Sequence, residues 1–286
     1  MKRVACTTLL VLGLVALAAA QGTASGSVTQ PSSATQHKAP PAAKTPEEHT
    51  AYQAILTNQD LAAAEAAAKD FGTKYPQSEL RNPIYQNLMY RYQQTNDAAK
   101  TVEMGRKALQ LDPDNPMALV TVGSVISERT RPTDLDRDQR LAEATSDAQH
   151  ALDGMDKWLA TAPGITDEQA KGVKPLLISA SHAILGMVEL TRKNPAGAEK
   201  HYRISLDANP ANPDPVTLLR LALALDLQSK YAEALTFANR AVELSAAGGG
   251  VLAEWAKQEQ GRLAKLTGQT PAPPQPAQTT TTPPKP

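Results

Sequence analysis

The chain has 286 residues, 41% hydrophobic and 20% charged, a globular composition over most of its length rather than that of a wholly disordered chain. Its 29 lysines and arginines balance 29 aspartates and glutamates, which disfavours a surface built broadly for nucleic acid or anionic membrane. Aromatic residues are only 4%, so cores are expected to come from alanine and leucine rather than large rings.

The first predicted element is a secretory signal peptide over residues 1–20. Met1-Lys2-Arg3 is positive, Val4 to Ala20 is apolar, and Ala18-Ala19-Ala20 offers a small-residue cleavage site directly before polar Gln21. The alternative is an uncleaved membrane anchor, since the apolar run is nearly long enough to span when tilted. Cys6 is the one cysteine, so loss of the leader would exclude disulfides, thiol catalysis and cysteine-bound metal. Residues 21–44 are rich in Ser, Thr, Gln, Ala and Pro and are expected to form a disordered linker.

Helical periodicity then runs from 45 to 268. Thr45-Pro46-Glu47-Glu48 is a helix start: Thr45 caps, Pro46 suits the first helical position, and Glu48 is placed to bond back to the cap. The pattern predicts helices from Pro46 to Thr57 and from Asp60 to Thr73, the second carrying Ala64, Ala68 and Phe71 on one face, with Pro76 ending the unit. In the next unit Tyr85, Leu88, Met89 and Tyr92 mark one helix. Thr101, Gly105, Ala108 and Leu109 mark its partner, and Asp112-Pro113 stops it.

The third unit opens normally with Leu119, Val122, Gly123 and Ile126. Its second helix, with Ala144, Ala148, Ala151 and Leu152, comes about nine residues late. The intervening Arg129 to Asp138 reads as an extended charged loop, and the following helix is predicted to reach Trp158 or Leu159. Pro163-Gly164 breaks the chain, and Thr166 with Gln169 offers a capping box, so residues 129–175 are expected to form an irregular insertion. The fourth unit has His182, Leu185 and Gly186, then Ala198, Tyr202, Leu206 and Pro210. The fifth has Leu218, Leu221, Ala222 and Leu225, then Tyr231, Ala234, Ala238, Ala241 and Val242. Val251 to Leu266 reads as a final helix. Leu252, Trp255, Leu263 and Leu266 are expected to cover the end of the stack, with Glu254, Lys257, Glu259 and Arg262 facing out. Residues 269–286, dense in Pro and Thr, are expected to be a disordered, polyproline-like tail.

These units form a degenerate repeat of about 34 residues, and on those signature positions the chain resembles the tetratricopeptide-repeat family. The stretch Phe71 to Ser78 also looks like the repeat ends of periplasmic envelope-assembly members. The resemblance implies an all-α fold, a right-handed α-solenoid of about five helical hairpins plus a capping helix, whose work is holding other proteins. Leu88, Ala108, Gly123, Ala151, Gly186, Ala198, Tyr202, Ala234 and Ala241 would be packing positions. In that family the first helix of each unit lines the concave face. The matching positions are Gln86, Tyr90, Gln93 and Gln94; Val120, Ser124 and Glu128; Ala183, Met187 and Leu190; and Leu219, Leu223 and Asp226. Tyr90, Met187 and Leu223 are the expected anchors, and Gln86 and Gln93 the polar guides. The alternative for Met187, Leu190 and Leu223 is burial against 129–175 or the last helix. The face lacks the Lys/Asn set with which some members clamp a C-terminal carboxylate.

The chain offers no catalytic constellation. Asp134, Asp136 and Asp138 alternate as in a calcium loop, yet Gln139 stands where glycine is required and Thr145 where the bidentate glutamate belongs. His37, His49, His150, His182 and His201 make no ligand pair at a known spacing, and His182 falls on a packing position. Ser181 and His182 are neighbours on a helix and point apart. Gly248-Gly249-Gly250 lacks the Lys-Ser/Thr of a nucleotide loop. The expectation is a non-enzymatic, exported protein-interaction module of the bacterial envelope, without cofactor, metal or nucleic acid. A membrane-tethered assembly component or an accessory helical domain of an enzyme complex are the alternatives.

Overall fold

The structure, a computed structural model, describes residues 39–269. The predicted leader, most of the predicted linker and the proline-rich tail lie outside the described residues.

Among the described residues there are eleven helices: α1 (Pro46–Thr57), α2 (Leu61–Lys74), α3 (Arg81–Gln94), α4 (Ala98–Leu111), α5 (Pro116–Arg129), α6 (Arg137–Thr161), α7 (Asp167–Thr191), α8 (Pro195–Ala208), α9 (Pro215–Asp226), α10 (Tyr231–Ser245) and α11 (Gly250–Thr267). Each packs on its neighbour in sequence, as antiparallel pairs, and further packing joins α1 to α3, α5 to α7, α7 to α9 and α9 to α11. This sequential all-helical packing is consistent with a helical repeat.

The helices start where short polar side chains can take up orphan backbone N–H groups. Thr45 accepts from the Glu48 N–H, Asp60 from those of Ala62 and Ala63, and Asn115 from those of Met117 and Ala118. Thr166 and Gln169 form the reciprocal capping box. Proline opens α1, α5, α8 and α9, where its missing N–H costs nothing. Glu48 departs from its expected role. Its carboxylate accepts the Lys44 N–H at 2.6 Å instead of reaching back to Thr45, and the side chain is buried.

Small residues allow close helix approach. Ala108, Ala151, Ala198, Ala234 and Ala241 are fully buried, as are Leu88 and Tyr202, and Gly123 is buried against α6 and α7. The Tyr202 ring packs against Gly186, where an added Cβ would stand 2.5 Å from Cε1. Any larger residue at 186 must displace that ring.

The expected irregular insertion takes a different form. The loop is confined to residues 130–136, and Arg137 and Asp138 already belong to α6. The extra length has gone into helix: α6 and α7 each have 25 residues, while α1 to α5 have 12 to 14. Leu141, Ala144, Ala148, Ala151, Met155 and Leu159 recur on one buried face of α6, which accounts for a continuous helix. Trp158 ties its far end down by donating to Asp112 Oδ2 at 2.9 Å. By length and composition α7 could cross a membrane, with mean hydropathy 1.3. In the structure its apolar residues, including Leu177, Ile184 and Val188, pack in the central core with α5 and α6.

The last helix also corrects the prediction. Leu263, Ala253, Ala256 and Ala264 cover the end of the stack, whereas Trp255 and Leu266 turn to solvent. Glu259 is buried, not outward, and Arg262 joins it at 2.8 Å and Asp226 of α9 at 2.6 Å.

Candidate partner-binding surface

The side chains carried over from the resemblance fall into two groups. The first lies on α3, where Asn82, Gln86, Tyr90 and Gln93 recur at three- and four-residue spacing and so share a side of the helix. Gln86 Nε2 donates to Asn82 Oδ1. Gln93 is half-buried and Gln94 exposed. Tyr90 is half-buried and packs against the first core cluster with Ile84, Leu88 and Met89 on the same helix. Burial pushes its hydroxyl up to about 12, so it stays a neutral donor at any working pH. On the neighbouring side of the helix, Arg91 Nη2 donates to the Asn58 carbonyl of the α1–α2 turn. Arg91 Nη1 and Asn87 Oδ1 are buried with no hydrogen-bond partner among the described residues. α3 thus carries amides and a phenol along one side, the chemistry that can hold an extended backbone in register, while the buried Asn87 and Arg91 atoms belong to its packed side.

The second group, from α5 to α9, is largely closed. Val120 is 1% exposed and Leu219 is 6%, so neither offers a partner anything, and Ser124 is half-buried. The physical reason is close stacking. Glu128 of α5 and Arg220 of α9 meet at 3.2 Å although 92 residues apart, and both helices pack on α7. Burial works against the Arg220 charge, but Glu128, Tyr202 and Asp214 together outweigh it and hold the guanidinium more basic than usual. Leu190 packs with the core built on α8 to α11, and Met187 is half-buried. Leu223 is 38% exposed and Leu227 65%, leaving a small apolar stripe on α9.

Other titratable groups came together that spacing did not forecast. His182 of α7 and His201 of α8 face each other, Nδ1 to Nδ1, at 3.0 Å. They are 19 residues apart, a distance fixed by where the α7–α8 turn sets the register, and no short motif encodes that. Burial lowers both imidazoles; for His182 the neighbouring His201 and then Lys200 add to it, while for His201 Glu189 opposes it. Asp147 of α6 lies against Gly123, with one carboxylate oxygen buried and unpartnered. Burial, then Glu143, raises it to about 7. The aspartates of the calcium-like stretch are turned toward arginines: Asp134 accepts the Arg131 N–H at 2.8 Å, and Asp138 pairs with Arg137 at 2.8 Å. Among the described residues no group of three or more His, Cys, Asp or Glu side chains is placed to hold a metal ion. An open depression of about 560 Å³ beside residues 41–46 is lined by His49, Tyr52 and Leu80 and by no carboxylate.

Comparison with protein-family models and with curated proteins finds no match to this chain.

Proposed function

We propose that the protein is a non-catalytic interaction scaffold of the tetratricopeptide type, exported to the cell envelope, which grips an extended segment of a partner protein on α3. The observation that carries this reading is the polar side of α3. Gln86, Tyr90 and Gln93 stand at one-turn intervals on a helix held by its core residues Ile84, Leu88, Met89 and Tyr92. A helix that served only packing would gain nothing from amides at these positions, since ordering them costs side-chain entropy. Affinity would concentrate in Tyr90, with the glutamines fixing register. Leu223 on α9 supplies the only exposed apolar contact among the positions carried over from the resemblance.

The export element rests on the positive start and the apolar run to Ala20. N-terminal sequencing of protein from the native envelope should begin at Gln21, and a start at Met1 in the membrane fraction would favour a tethered component instead. The binding element is tested by pull-down from native envelope extract with wild type and a Gln86→Lys/Gln93→Lys variant of unchanged melting. The variant should lose the partners that wild type recovers. Equal recovery of the same proteins would remove α3 from consideration.

A further inference from the structure

We infer that His182 and His201 form a two-imidazole site for a divalent transition-metal ion, Cu²⁺ above all, on the α7–α8 hairpin. This inference is independent of the partner-binding reading. It begins from the head-on geometry. The Nδ1 atoms are 3.0 Å apart, the ring centroids are 5.3 Å apart, and the ring planes lie within 26° of parallel. The centroids are farther apart than the nitrogens by about the width of one ring, so the two nitrogens point at each other. In the metal-free state one proton sits between them, donated by one ring and accepted by the other. A site in which two in-plane lone pairs compete for one proton is a site that a cation can take over.

The separation suits this exchange. Imidazole nitrogen binds such ions at about 2.0 Å, and adjacent ligands of a square-planar ion then stand about 2.8 Å apart, close to the distance already present. Because the two lone pairs now face each other, each ring has to turn by about 45° for both to meet at one ion at a right angle. Cu²⁺ leads because it heads the affinity order for nitrogen sites and prefers square-planar nitrogen and oxygen ligands. Both rings are half-buried, which leaves room for water at the remaining positions. Neutral imidazole is the form that binds metal, so protons compete with the ion for both rings.

The two helices are also held in register. About one turn away, Ser205 Oγ donates to the Ser179 carbonyl at 2.7 Å and lies 3.1 Å from Ser179 Oγ. Next to His201, Tyr202 is locked against Gly186. These contacts fix the register of the two helices and so keep the two imidazoles side by side. Lys200 opposes a cation nearby, and Glu189, which favours charge on His201, compensates.

The test is calorimetric titration of Cu²⁺ into the purified full chain carrying no polyhistidine tag, beside His182→Ala, His201→Ala and the double variant. Wild type should bind one equivalent more than the double variant. Each single variant should weaken that equivalent at least about tenfold, because one of two ligands is gone. The equivalent should show nitrogen coupling in its electron paramagnetic resonance spectrum, and its affinity should fall as pH drops from 7.5 to 5.5. Identical stoichiometry and affinity in wild type and the double variant would overturn the inference, since His37, His49 and His150 remain in both. If an alanine variant melts early without metal, His182→Asn/His201→Asn keeps polarity and size, and the same comparison decides.

Discussion

The hairpins α1–α4 and α7–α10 are built to the same plan and differ in what their first helices show to the outside. α3 carries Asn82, Gln86, Tyr90 and Gln93 along one side, and five of the chain's seven tyrosines lie between residues 52 and 92. The corresponding side of α9 carries Leu219, buried, and Leu223, 38% exposed, and the approach to α7 is bridged by the Glu128–Arg220 pair. The packing faces are alike: alanines stack against leucines in both. The lesson is that a repeat fixes where a side chain points, and the residue placed there decides whether the surface stays open. Half-buried amides keep the α3 side polar, whereas aliphatic side chains and a cross-helix ion pair turn the α5–α9 side into interior.

The largest expected effect breaks the closed half. Ala198 is fully buried between α7 and α9. Ala198→Glu should destabilise by about 2–4 kcal/mol, from overpacking and from a buried charge without a partner, as measured by denaturant unfolding. An unchanged midpoint would mean that α8 does not pack as described. Next is the bridge. Arg220→Ala should cost about 2 kcal/mol, less than a fully buried pair because both side chains keep some exposure. Arg220→Met/Glu128→Gln should recover much of that loss. A double variant as unstable as Arg220→Ala alone would show that the pair is not what holds α9 to α5.

Smaller effects follow from groups whose ionisation differs between folded and unfolded chain. Asp147 is raised to about 7 when folded, so its neutral form is favoured by folding, and the associated stability fades as pH rises from about 4 toward 7 and beyond. Asp147→Asn should therefore raise the melting temperature at pH 8 and do little at pH 4. For the imidazole pair the sign is opposite. Both are lowered on folding, so their contribution is complete above about 6.5 and is lost as pH falls below it. His182→Asn/His201→Asn should flatten that part of the stability profile between pH 7 and 5, measured by thermal melts. The charged groups bearing on the pair are Lys200 and Glu189.

Much of the fold could be read from the chain because the punctuation is chemical. Thr45-Pro46, Asp60, Thr166 and the Asp112-Pro113 stop are side chains whose hydrogen-bonding or missing N–H acts locally, and α1 has the predicted bounds. The start of α6 was hidden because Arg129 to Asp138 is charged like a loop, while the buried stripe from Leu141 onward carries the helix back to Arg137. Val120, Leu219 and Glu259 were misplaced for a different reason. Period alone ranks positions around a helix, but burial also depends on how tightly the next hairpin closes, and that is set by side-chain pairs as distant as Glu128 and Arg220. The His182–His201 contact belongs to the same class: it depends on the register between two helices.

The most direct test of the central claim places a photo-crosslinking amino acid at Gln86, at Gln93 and, on the exposed side of α10, at Thr236, in the full chain expressed in its native host. The account predicts that 86 and 93 each form adducts with the same protein partner and that 236 does not. Adducts at 236 with that partner, and none at 86 or 93 in a protein of normal melting temperature, would contradict it.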